Sequence, residues 1–268
     1  MVSDNNSKDN LDEVVKDFDG ILNIRTVNAF AVQGQSYARN YAVAESSADF
    51  ILFCDADDIV SSGWVEAHFR QFNELSADIT TGPAYNFIQY SDLDDYILPV
   101  EDYEGMQILE NESKRYFPII GCNFGIRKEK FILSGGFDES LLGGGEDIDL
   151  GIRVQKLGVK VSKARNAFIF KKERGNLKSI AKQNFYYGKR NVLLVDRYGK
   201  SAPVSYSLKY SLIHIFKDSL DLCLSGNDIL RQRDKVFRIS GNLGAVAGFL
   251  QYKILKRIPQ FKLRFVES

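Results

Sequence analysis

The chain has 268 residues, 44% hydrophobic and 26% charged, with 35 basic and 35 acidic side chains and no net charge. That length can bury a full core as one large domain or one domain with an appendage, and the composition excludes a disordered or fibrous protein. The charge is polarised: residues 1–159 hold 12 Lys and Arg against 28 Asp and Glu, residues 160–268 hold 23 against 7, so the halves carry −16 and +16. An acidic front suits metal and hydroxyl chemistry, and a basic back suits phosphates or an anionic membrane surface. No nucleic-acid recognition motif accompanies the basic half, and nucleic acid is not an expected partner. Cys54, Cys122 and Cys223 are odd in number and far apart, which argues against a disulfide framework or a zinc pair and for a reducing, cytoplasmic setting. Residues 4–12 are polar and acidic, unlike a signal peptide.

In chain order, Met1-Val2-Ser3 reads as the end of a strand entering the polar loop Asp4-Asn5-Asn6-Ser7, so an upstream strand-turn-helix unit is expected to be missing. Helices are expected at 11–18, 36–44 and 63–72, the last capped by Ser61 or Ser62, with strands at 21–27 and 50–54 between them. This alternation predicts a mostly parallel sheet covered by helices. Residues 83–118, rich in Tyr, Asp and Glu, read as loops and short strands over a site. A strand at 121–126, a short helix at 127–133, a helix at 146–157 stopped by Gly158, a strand at 167–170 and a helix at 177–198 follow. His68 and His214 fall in helical patterns and are expected as surface or core residues rather than ligands.

Beyond Pro203, Leu208, Leu212, Phe216, Leu220 and Leu224 recur every four residues as one apolar stripe. A second segment at 236–255 has an apolar centre containing Gly244 and Gly248, flanked by Arg231, Arg233, Lys235, Arg238, Lys253, Lys256 and Arg257. Neither reaches the 18 or so apolar residues of a spanning helix. Two readings stay open: peripheral contact with the cytoplasmic face of a membrane, or helices packed on the catalytic domain.

Two acidic segments carry the chemistry. The run Ile51-Leu52-Phe53-Cys54 ends in Asp55-Ala56-Asp57-Asp58. Large apolar residues in a row read as a strand buried on both faces, so these carboxylates fall at the sheet rim, where open α/β sheets bind ligands. Carboxylates one residue apart can hold a hard divalent cation, which can hold a diphosphate. A turn with a helix cap is the plain alternative. Downstream, Gly135-Gly136-Phe137-Asp138-Glu139 precedes Gly143-Gly144-Gly145-Glu146-Asp147, with glycines admitting a ligand and acids in a first helical turn. Burial and a neighbouring acid would raise a carboxylate's pKa toward that of a general base. An EF-hand loop at 55–66 fails because Ile59 and Val60 stand where a ligand and a glycine belong, and no G-x-G-x-x-G follows an early strand.

With Asp4-Asn5-Asn6-Ser7 and Ala38-Arg39-Asn40, these motifs resemble family 2 glycosyltransferases over about residues 1–200, with a galactosyltransferase-type second half. The resemblance implies a GT-A fold, a Rossmann-like mixed sheet flanked by helices, at 1–200, and a basic helical extension at 201–268. It implies an inverting transferase that moves sugar from a nucleotide-diphospho-sugar, a UDP-sugar foremost, to a glycan or lipid-linked acceptor in surface polysaccharide synthesis. Asp4, Arg39 and Asp55 would bind the nucleotide-sugar, and Asp57 would ligate Mg²⁺ or Mn²⁺. Asp147 would be the catalytic base, with Glu146, Gly145 and Asp138 on the acceptor side. The rival is an inactive homologue serving as a binding or scaffold protein. Two departures stand out: the family's opening strand would precede Met1, and Phe168-Ile169-Phe170-Lys171-Lys172 lacks a histidine common near the metal, leaving Lys171 or Lys172 to pair with phosphate.

Overall fold

The computed structural model describes residues 1–87, 107–108, 116–117, 119–172, 176–224, 226 and 228–266. Most of the stretch expected to cover the site, 83–118, lies outside them. The chain opens with β1 (Val2–Asp4), α1 (Leu11–Lys16), β2 (Thr26–Asn28) and α2 (Gln35–Glu45), and β1 pairs parallel with β2. The strand expected at 21–27 is thus short and late. Ile21 and Leu22 stand exposed in a turn closed by the Phe18 carbonyl, so their hydrophobicity has no sheet to enter.

Next come β3 (Phe50–Phe53), β4 (Asp58–Val60), α3 (Trp64–Glu74), β5 (Ile79–Thr81), β6 (Ala84–Phe87) and β7 (Gln107–Ile108). Then follow β8 (Phe124–Arg127), α4 (Lys128–Leu133), α5 (Glu146–Gln155), β9 (Val161–Lys163) and β10 (Ile169–Lys172). The larger sheet has the order β3-β8-β5-β9-β7 and a smaller one β4-β10-β6. In the larger sheet only β5 and β9 run parallel, and the β3–β8, β8–β5 and β9–β7 pairings are antiparallel. The mostly parallel sheet is therefore corrected to a mixed one: local β/α alternation cannot reveal that β8 enters between β3 and β5 in reverse.

The apolar run of β3 is covered only in part, because β3 is an edge strand: Phe53 is buried, whereas Phe50, Ile51 and Leu52 are half-buried, so the expectation of a strand buried on both faces is corrected. Phe53 stacks on Phe124 at 4.7 Å and meets Phe137 edge-on at 5.5 Å, while Phe50 turns to Phe72 at 4.7 Å on the α3 side. α3 starts at Gly63, in the left-handed region at φ +79°, without a side-chain cap. Ser61 is not the cap because its hydroxyl donates to the Asn166 carbonyl at 3.1 Å. His68 is a core residue: Nδ1 lies 2.7 Å from Thr80 Oγ1 and Nε2 3.2 Å from Asn123 Oδ1.

Three long helices complete the fold. α6 (Leu177–Tyr198), capped by Asn176 whose side chain accepts from the Ser179 N–H, packs along α8 (Ile229–Gly248), which also carries α7 (Leu208–Cys223). At the crossing a β-carbon on Gly244 would lie 1.9 Å from the Phe185 carbonyl oxygen, and one on Gly188 1.8 Å from that of Gly241. Small residues here let two backbones touch. The segment after α8 returns to the sheet: Phe265 packs on Phe131 at 5.8 Å, and the Glu139 N–H donates to the Lys262 carbonyl at 2.9 Å.

α7 is turned inside out. Ser211 and Asp218 are buried, whereas Leu212, Phe216, Leu220 and Leu224 are each more than half exposed. Asp218 sits in the α7–α8 seam, 3.3 Å from Lys235 Nζ and 3.0 Å from Arg238 Nη2. Among the described residues no helix is long and apolar enough to cross a membrane.

Candidate active site

The site begins with a clamp between two loops. Asn40, buried on α2, donates to the Phe137 carbonyl at 2.9 Å and accepts from the Phe137 N–H at 2.8 Å. Gly136 at φ +74° lies so close that a β-carbon would stand 2.7 Å from Asn40 Oδ1. This fixes Ala38-Arg39-Asn40 against Gly135-Gly136-Phe137 and sets Arg39 over the Phe137 ring, 5.4 Å from its centre. On the other side of α2, Ser3 of β1 donates to the Ala38 carbonyl at 2.7 Å and Asn5 accepts from the Gly34 N–H at 2.7 Å. Asp4 accepts from the Ser7 N–H at 2.8 Å, folding its loop beside the same helix.

Arg39 brings the two acidic segments together. Its Nη2 is 2.5 Å from Asp55 Oδ1 and its Nη1 3.4 Å from Glu146 Oε1. Gln35 also donates to Glu146 Oε1, and Glu146 Oε2 is buried with no hydrogen bond among the described residues. α5 starts after Gly145, at φ +84°, which a side chain would strain, and so carries Glu146 and Asp147 into its first turn. Asp147 is gripped by the backbone: Gly121 N–H donates to Oδ2 at 3.0 Å and Ile148 N–H to Oδ1 at 2.8 Å.

Burial pushes the Asp147 carboxyl above its ordinary range despite those two N–H groups. Glu146 is raised by burial and then by the Asp147 charge, against the pull of Arg39. Two adjacent acids that resist sharing a double negative charge suit proton transfer.

Asp55, Asp58 and Cys122 form the second half, with ligand atoms all within 4.8 Å of one another. Among the described residues neither of the two buried Asp58 oxygens has a hydrogen bond, and burial pushes its carboxyl up to about 6, against the opposing charge of Lys171. Orphaned buried carboxylate oxygens beside another carboxylate fit a hard divalent cation. Burial also pushes the Cys122 thiol up to about 11, so it is a protonated, soft neighbour rather than a matched ligand. Asp57, the expected metal residue, is exposed and outside this group. The chain turns at residues 56–57 and re-enters a strand at Asp58, so the register aims the third carboxylate inward, not the second.

Asp138, expected on the acceptor side, sits among cationic and backbone donors. It is fully buried, with Oδ2 2.8 Å from Arg197 and Oδ1 accepting from the Lys262 and Ser140 N–H groups, each at 2.9 Å. Burial alone would raise it, but these donors hold its pKa below the usual carboxylate range. Asp149 shares Arg197 at 3.3 Å and pairs with Arg153 at 2.8 Å, so Asp138 belongs to an ion network that holds the fold. Two site residues escape sequence reasoning. Gly121 gives no motif, yet a β-carbon there would stand 2.9 Å from Asp147 Cβ. Tyr187 lies 42% exposed on α6, and Gly144 leaves space for its ring, where a β-carbon would approach to 2.6 Å.

The chain is 25% identical to a pre-mycofactocin glycosyltransferase of Mycobacterium tuberculosis over 185 residues, 65% of this chain and 38% of that protein. It is 25% identical to glycosyltransferase GlyA of Streptococcus pneumoniae over 244 residues, 84% of this chain and 33% of that protein. It therefore spans well under half the length of either relative. The mannosyltransferase PcManGT from Pyrobaculum calidifontis, solved with GDP-Man and Mn²⁺, superposes with a TM-score of 0.59 at 11% identity, over 92% of this chain and 76% of that one. The fold is that of the GT-A glycosyltransferases. A family model described as "Glycosyltransferase like family 2" matches residues 1–241, and the chain belongs to that family.

Proposed function

We propose that the chain transfers a sugar, with inversion, from a nucleotide-diphospho-sugar to a hydroxyl of a glycan or lipid-linked acceptor in surface polysaccharide synthesis. The observation that carries this reading is Arg39 joined to Asp55 and Glu146, because one guanidinium then faces both a candidate cation site and a candidate base. Asp147 accepts the acceptor's hydroxyl proton, and the freed oxygen attacks the anomeric carbon. The bond from that carbon to the diphosphate breaks on the opposite face, and its electron pair leaves with the nucleoside diphosphate. Glu146, held by Gln35 and Arg39, orients the acceptor, and Gly145 keeps the approach open. Asp4, beside α2, would contact the nucleotide. A Mg²⁺ or Mn²⁺ ion held by Asp55 and Asp58 would offset negative charge on the leaving diphosphate.

The test is transfer from UDP- and GDP-sugars with Mn²⁺, by the wild type and Asp147→Asn. General-base loss should lower kcat by about 10²–10⁴-fold. Equal activity in the variant, or none in the wild type with any donor, refutes the reading.

We also infer that α7 meets an anionic membrane surface. Its outward stripe is accompanied by exposed Lys209 and Lys217 and by Arg231 at the start of α8, and apolar contact joined to basic charge suits interfacial binding. The chain should float with phosphatidylglycerol liposomes, and Phe216→Asp should not. Equal flotation of the two proteins, or none of the wild type, refutes this.

A further inference from the structure

The cation site already contains a charge of its own. Lys171 of β10 stands opposite Asp58 of β4 in the antiparallel register. Its Nζ lies 3.6 Å from Asp55 Oδ2 and donates to Cys122 Sγ at 3.5 Å. Arg39 holds the other Asp55 oxygen at 2.5 Å, so that carboxylate has a cationic group on each oxygen. Asp55 and Asp58 are the carboxylates beside this ammonium. The β10 backbone is fixed between β4 and β6, but the side chain is 36% exposed on a flexible four-carbon stem.

We propose that Lys171 is a tethered counter-ion that competes with a divalent cation for the Asp55–Asp58 pair and, when displaced, swings onto the donor's diphosphate. Ammonium and metal seek the same oxygens, so each weakens the other's hold. The competition stands on this geometry alone, and the final movement rests on the glycosyl-transfer reading above.

Mn²⁺ is titrated calorimetrically into the nucleotide-free chain as wild type, Lys171→Gln and Lys171→Arg, with Lys171→Met as a second neutral variant. Removing a unit charge a few ångströms from the cation should tighten Mn²⁺ binding by about tenfold or more in both neutral variants, while Arg stays near wild type. Unchanged or weaker binding in the neutral variants overturns the proposal, as does an equal gain in the Arg variant. UDP and GDP are then titrated without metal. Loss of about tenfold in Lys171→Gln supports movement onto the diphosphate, and equal affinity overturns that movement. Binding of neither nucleotide by any of the four proteins, with or without Mn²⁺, sinks the glycosyl-transfer reading, while the Mn²⁺ titration still judges the competition.

Discussion

Replacing Gly244 by Ala sets two rules against each other. In the interior of a helix such as α8, Ala is worth about 1 kcal/mol over Gly. Gly244 has ordinary helical backbone, so propensity alone predicts a more stable protein. The crossing with α6 predicts the opposite, because the new β-carbon would lie 1.9 Å from the Phe185 carbonyl oxygen and 3.0 Å from the Lys189 nitrogen. These are backbone atoms that cannot rotate aside, so the helices must separate by more than an ångström along their contact. Over-packing of this kind costs about 1–3 kcal/mol or more and also opens gaps beside Val192 and Ala245. A net loss of about 2 kcal/mol lowers Tm by roughly 4–8 °C for a chain of this size. Gly241→Ala is the internal control: its β-carbon would meet nothing closer than the Asn184 carbonyl oxygen at 3.8 Å, so propensity should win. That variant should gain up to about 1 kcal/mol. Urea titrations followed by circular dichroism report both signs. Gly244→Ala as stable as wild type, or the two variants shifting together, refutes the close-contact argument.

Gly121→Ala should lower kcat about tenfold or more while leaving Tm within a degree or two, since the new methyl pushes Asp147 off its position without opening the core. Equal kcat in a donor-saturated assay counts against positioning by Gly121. His68 should make the fold acid-sensitive, because burial lowers its pKa from 6.5 to about 4, a shift that its bond to Asn123 only partly opposes. Between those values the unfolded chain binds a proton that the folded one refuses, so its contribution is full above pH 6.5 and falls by about 3 kcal/mol by pH 4. His68→Gln should flatten the slope of stability against pH across that window, and an unchanged slope refutes the assignment.

Some of this architecture could be read directly from residues. Asn176, whose side chain caps the first turn, and Gly199, just past Tyr198, bound α6 at the ends expected from sequence, because both devices act within a few residues. The apolar run of β3 likewise marked a strand, though only Phe53 is fully buried, and Arg39 joins Asp55 to Glu146. What eluded the sequence depended on distant partners. Nothing local distinguishes Asp57 from Asp58; the turn and the pairing of Asp58 with Lys171 decide which faces inward. Asp138 reads as a site acid until Arg197, 59 residues later, claims it. The α7 stripe alone leaves a membrane face and a core face both open, and Asp218 with its cationic partners on α8 turns it outward.

The returning segment ties synthesis to folding. Arg197 donates to the Pro259 carbonyl at 2.9 Å, the Lys262 N–H caps Asp138, and Phe265 closes over Gly135 and Gly136 beside the loop that Asn40 clamps. A ribosome therefore releases every described strand of the sheet before this segment has emerged. During that interval Phe131 and Asp138 lack the contacts that Phe265 and Lys262 supply.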